Sequence, residues 1–150
     1  MTRQPTRPRP RPGSRHPGRA RLADGHLANV YSAACPSRQA LDRIADKWTV
    51  LIVGALERGP MRFGQLRDAI DGISEKMLTQ TLRSLERDGL VARHDHGSTP
   101  PQVDYRLTEL GATLTAPVAA VRAWAERYIV EIETARAAHD SGQSPRKGNT

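Results

Sequence analysis

At 150 residues the chain is long enough for one domain that buries its own core without disulfides or a structural metal, and too short for a multidomain enzyme. Its net charge of +7 is uneven: residues 1–23 carry seven arginines and no acid, leaving sixteen charges of each sign over the remainder. Overall basicity therefore does not make the folded part a nucleic-acid binder; that reading has to come from where particular charges point.

Residues 1–21 alternate Arg with Pro and Gly, bury almost nothing, and are expected to form a disordered, polyproline-like tail. This basic segment lacks the apolar run of a signal peptide, and Pro5, Pro8, Pro10, Pro12 and Pro17 forbid the helix of a transit peptide. The longest stretch without a formal charge, Gly25 to Ser37, falls short of the ~18–20 apolar residues of a membrane span. No membrane is expected, and the single cysteine, Cys35, which excludes an internal disulfide, suits a reducing cytoplasm.

From the mid-thirties the hydrophobic period is helical. Leu41, Ile44, Ala45, Trp48, Leu51, Ile52, Ala55 and Leu56 form one amphipathic stripe, with Pro36 in its first turn and Gly59-Pro60 at its end. A short second helix, about Arg62 to Ile70, buries Phe63, Leu66 and Ile70 and stops at Asp71-Gly72. A third follows after a tight turn, with Ser74 as N-cap and Gly89 as stop, so the pair reads as a helix-turn-helix. The period then changes: Leu90–Arg93 and Val103–Leu107 read as a hairpin whose polar loop, Asp95 to Gln102, has the shape of a wing. Thr108 caps a last helical region in which Pro117 either kinks one helix or starts a second. There Val121, Trp124, Ala125, Tyr128, Ile129 and Ile132 share an apolar arc that needs a surface to cover, and a second copy of the chain is the natural candidate. Residues 140–150 read as a frayed end, which gives a folded domain over 22–139. The fold class is mainly α with a small β-hairpin.

The third helix carries the chemistry. At 100° per residue, Lys76, Thr79, Gln80, Arg83 and Arg87 fall on one arc of about 100°, opposite Met77, Leu78, Leu82 and Leu85, with Glu75, Glu86 and Asp88 flanking the strip. Gln80, Arg83 and Thr79 are side chains of the kind that read base edges in a major groove, and Lys76 and Arg87 suit phosphates. A solvated helix face also carries such residues; the preceding helix and the following wing turn the balance toward duplex DNA. His94 and His96 are expected to point to opposite faces, and no Cys or carboxylate cluster completes a zinc set. No Gly-rich phosphate loop and no nucleophile with a base stands in a catalytic context, so neither an enzyme nor a cofactor is expected. Aromatics at 4% leave no platform for single-stranded bases.

The segments CPSRQALDRIADKWTVLIVGAL, MRFGQLRDAIDGISEKMLTQTLRSLERDGLVAR and DYRLTELG together resemble the HxlR-type family of bacterial winged-helix regulators, relatives of the MarR regulators, over roughly residues 35–125. The resemblance implies a homodimer with N- and C-terminal helices at the interface, here Val30, Tyr31, Val118, Val121, Trp124, Ala125, Tyr128, Ile129 and Ile132. It implies two recognition helices, each about Ser74–Asp88, in successive major grooves of a pseudo-palindromic operator. Arg62 would anchor a phosphate, and the wing would present Arg93, His94, His96 and Ser98. The long Arg/Pro tail departs from the family pattern and is either the product of an alternative start codon or a minor-groove arm. Cys35, beside the first helical residue, is either a thiolate that senses oxidants or electrophiles, as in some relatives, or a small buried side chain. A small-molecule effector is the other route to control. The rival functions are a winged-helix protein-interaction module with only non-specific nucleic-acid binding, and an RNA-associated protein led by its arginine-rich tail.

Overall fold

The computed structural model describes residues 18–142; the parts of the two expected tails at 1–17 and 143–150 lie outside them. The chain divides into two compact units, at Leu41 and Asp42.

In the first unit Gly25, at φ +86°, reverses the chain so that Arg21 bridges Leu27. The Ala28 amide donates to the Ala20 carbonyl at 2.8 Å and the Arg21 guanidinium to the Gly25 carbonyl at 2.7 Å. Ala20 and Arg21, expected in the tail, are thus paired within this turn.

Helix α1 (Pro36–Ala45) leads into α2 (Lys47–Leu56), and the single helix expected across this stretch is therefore two. The break is at Asp46, whose extended backbone (φ −73°, ψ 122°) lets its carboxylate accept the Trp48 amide at 2.8 Å. A side-chain cap here outcompetes helical continuity, which the apolar stripe alone does not reveal.

Strand β1 (Met61–Arg62) precedes α3 (Phe63–Ala69), whose third residue, Gln65, reaches back to accept the Arg62 amide at 2.9 Å. Helix α4 (Glu75–Arg87) starts at Ser74, whose hydroxyl accepts the Met77 amide at 3.0 Å, and ends before Gly89 at φ +73°. Its apolar face meets α2 and α3 in one core containing Ile52, Leu56, Leu66, Leu78, Leu82 and Leu85. Met77, expected in the core, lies at the edge of that face and is 36% exposed. Thr81 is buried instead, its hydroxyl donating to the Met77 carbonyl at 2.8 Å.

Strands β2 (Val91–Asp95) and β3 (Val103–Leu107) pair antiparallel in the register Val91 to Leu107 through Asp95 to Val103. β1 adds to the free edge of β3, Met61 opposite Tyr105 and Arg62 opposite Asp104, making a three-stranded sheet where a hairpin is expected. Helix α5 (Glu109–Ala112) is capped by the Thr108 hydroxyl, which accepts the Gly111 amide at 3.0 Å. Helix α6 (Thr115–Gly142) then begins, with Pro117 in its first turn, where the missing N–H costs no hydrogen bond. Pro117 therefore belongs to the start of a second helix. The helix runs through residues 140–142, beyond the expected domain end at 139. Among the described residues no helix is long and apolar enough to cross a membrane.

Candidate nucleic-acid interface

The outward strip of α4 is held by the caps at its ends and by its buried face. Lys76, Gln80, Arg83 and Arg87 are exposed and Thr79 is half-buried. Ser74 belongs to this surface by position, but its hydroxyl is engaged as the N-cap. Thr79 and Arg83 of α4 line one crevice of about 300 Å³ with Arg93 of β2, Tyr105 of β3 and Glu86, so recognition helix and wing sheet converge there. Sequence pattern alone does not place Tyr105 or Glu86 in this cleft.

The acids around the strip are mostly neutralised from behind. Glu75 accepts from Arg67 of α3 at 2.8 Å, and Asp88 from Arg43 of α1 at 2.9 Å. By contrast, among the described residues none of Lys76, Arg83, Arg87 and Arg93 has an ion-pair partner. An array of unpaired cations beside internally paired carboxylates attracts a polyanion, because its charges carry no competing partner to displace.

Arg62 is exposed at the junction of β1 and α3, and its Nη2 donates to Gln102 Oε1 in the wing loop at 3.0 Å. In the wing, His94 and His96 do not point apart as expected: their rings meet edge to face with centroids 4.5 Å apart. Residues two apart on a strand share a face, which accounts for the contact. His96 Nε2 lies 2.6 Å from Asp104 Oδ2, and Arg106 donates to Asp104 Oδ1 at 3.1 Å. The hydrogen bond from His96, reinforced by Arg106, holds the Asp104 carboxyl below the usual carboxylate range against the opposing effect of burial. Ser98 is exposed in the loop and donates to the Pro100 carbonyl at 2.9 Å.

Cys35 is buried, with 8% exposure. The Asn29 amide donates to its sulfur at 3.3 Å, and the Ser37 hydroxyl lies 3.0 Å away. The Asn29 amide, then Ser37, lower the thiol pKa; burial and the nearby Asp24 oppose them more weakly. Arg38 donates to the carbonyls of Val30 at 2.6 Å and Tyr31 at 3.1 Å. The Val30 and Tyr31 side chains are exposed.

On α6 the expected face divides in two. Val121, Trp124, Ala125, Tyr128 and Ile129 are exposed, Trp124 at 57%, and Ile132 is half-buried. Val118 is the exception: it is 0% exposed because the first turns of α6 pack on α2 of the same chain, and it is unavailable to a second copy.

The HxlR-like helix-turn-helix family matches residues 43–133. The HTH-type transcriptional regulator YtfH of Escherichia coli, itself described as uncharacterised, is 43% identical over 108 residues, which cover 72% of this chain and 86% of YtfH. Among solved structures, ytfH from Salmonella typhimurium superposes with a TM-score of 0.68 at 40% identity, covering 73% of this chain and 98% of that one. The redox regulator HypR in its reduced form gives a TM-score of 0.61 at 36% identity, covering 66% and 98%.

Proposed function

The chain belongs to the HxlR-like helix-turn-helix family of transcriptional regulators, and we propose on that premise that it binds specific duplex DNA as a homodimer. Gln80, Arg83 and Thr79 face base edges in the major groove. Lys76, Arg87 and Arg62 contact phosphates, while Arg93, His94, His96 and Ser98 meet the flanking backbone along the wing. The observation that carries this reading is the set of unpaired cations on α4 and β2, set against carboxylates already neutralised by Arg43 and Arg67. The exposed apolar face of α6 from Val121 to Ile129, with Val30 and Tyr31, supplies the contact between the two copies.

The thiol of Cys35 serves as a sensor of oxidants or electrophiles. Its lowered pKa supports this role, as does similarity to a protein described as a redox regulator. With one cysteine in the chain, a disulfide needs a thiol from elsewhere: two Cys35 side chains of a dimer would join by giving two protons and two electrons to the oxidant.

Selection of duplexes from a random pool by the full chain, followed by fluorescence anisotropy against random competitor, tests the reading. Competitor-resistant binding that weakens steeply with salt is expected. Failure to enrich any sequence, with only competitor-sensitive binding, would replace it with that of a protein-interaction module.

A further inference from the structure

A second site lies away from the DNA-facing strip. A cleft of about 770 Å³ opens between α2, the end of α3 and α6, within the size range of small-molecule sites, ~300–1,000 Å³. Its apolar lining includes Leu51, Met61 and Ile70, and its charged lining is Arg58, Arg122 and Asp71. Position 54 on α2 is glycine, and a Cβ there would meet the Arg122 guanidinium, which lies across the bare backbone.

Arg122 is the informative group. Its side chain is only 28% exposed, and its nearest carboxylate, Glu57, is 3.7 Å away, beyond hydrogen-bond distance. Among the described residues neither the Arg122 nor the Arg58 side chain makes a hydrogen bond, and Arg58 has no ion-pair partner. A guanidinium drawn partly out of water with its donors unused presents a planar fork that matches a carboxylate, two parallel N–H···O bonds at once. Within the lining Arg58 and Arg122 face one acid, Asp71; Glu57, outside the lining, balances part of the Arg122 charge. The unpaired Arg58 and the unused donors of Arg122 therefore favour an anion, and the apolar wall favours a hydrocarbon body behind it.

We propose that this cleft binds a small organic carboxylate, its carboxylate held by Arg122 with Arg58 beside it and its apolar part against Leu51, Met61 and Ile70. Such a ligand spans α2, which belongs to the winged-helix core, and α6, and so bears on the angle between them. This site stands whether or not the DNA reading does.

The test titrates the full chain with benzoate and hexanoate, using benzamide and hexanamide as neutral counterparts, by calorimetry and ligand-observed NMR. Saturable binding of at least one carboxylate is expected, with its amide weaker by about tenfold or more and a similar loss in Arg122→Gln. Far-UV circular dichroism checks that the variant is folded. Should Arg122→Gln misfold, Arg58→Gln, at an exposed position, gives the same readout with an expected loss of severalfold. Absence of saturable binding by the wild-type chain overturns the proposal, as does an affinity unchanged in a folded variant or equal for acid and amide.

Discussion

Gly111, at the start of α5, lies so close beneath the Leu90 carbonyl that a side chain there would collide with backbone. The same carbonyl accepts the Thr108 amide at 3.1 Å, and the Thr108 hydroxyl donates to the Gly89 carbonyl at 2.5 Å. The end of the recognition helix, the start of the wing and the approach to α6 are thus fastened at one point.

Two glycines that both lack room for a Cβ should therefore respond differently to alanine. At Gly111 the obstacle is main chain, so Gly111→Ala is expected to cost about 1–3 kcal/mol, as overpacking does. At Gly54 it is the mobile end of Arg122, and the gain of about 1 kcal/mol in helix propensity offsets the displacement, leaving Gly54→Ala near neutral. Urea denaturation followed by circular dichroism measures both; similar losses at the two sites would contradict this account.

On α4, base-reading and phosphate-binding residues should separate experimentally. Arg83→Ala and Gln80→Ala are expected to cost about 1–3 kcal/mol on the selected duplex and to relax preference at one base position. Lys76→Ala and Arg87→Ala should weaken selected and random duplexes alike and lower the salt slope by about one. Anisotropy over a salt series distinguishes the pairs, and equal loss on both duplexes for Arg83→Ala would remove it from base readout.

The wing should carry an acid-sensitive element. Because the folded state holds the Asp104 carboxyl below its unfolded value, mainly through His96, the ionised group stabilises the fold. That contribution is complete above the unfolded carboxyl pKa of about 3.9 and disappears as pH falls through the lower folded value. Asp104→Asn should flatten this part of the stability–pH curve. An unchanged acid limb in the variant would show that other carboxylates govern it.

Thiol chemistry at Cys35 should run at lower pH than for an ordinary cysteine. The rate of alkylation by iodoacetamide is expected to rise with a midpoint below the usual value of about 8.5. Ser37→Ala, which removes the neighbouring hydroxyl, should move that midpoint upward without abolishing it, since the Asn29 amide, the largest contribution, remains. A midpoint at or above the ordinary value in the wild-type chain would argue for a packing role instead.

What the sequence alone makes legible follows the range of the forces involved. Helix α4 was legible because its cap, its stop and its polar strip are all written within its own residues, Ser74 to Gly89. The break at Asp46 was not, because the apolar stripe continues through it and the break shows only in the extended Asp46 backbone and its side-chain cap on α2. Strand β1 is two residues long and exists through its pairing with Tyr105 and Asp104, far along the chain. Val118 lies next to the exposed arc of α6, and only the docking of that helix on α2 separates them. In the candidate site the side-chain types were legible, whereas the pairings of Arg43 with Asp88 and Arg67 with Glu75, which decide which charges remain free, depend on the fold.

The short strand β1 changes how the wing can work. A bare hairpin would swing as a flap and lose that freedom on reaching DNA. Here Met61 and Arg62 make it the far side of a frame, since the chain that leaves β3's edge enters α3 directly and Arg62 also grips Gln102 in the loop. The spacing between wing and recognition helix is consequently set before any DNA arrives. On the proposed DNA reading, a duplex whose groove width does not suit that spacing would have to deform itself, and local DNA stiffness would then enter the choice of site.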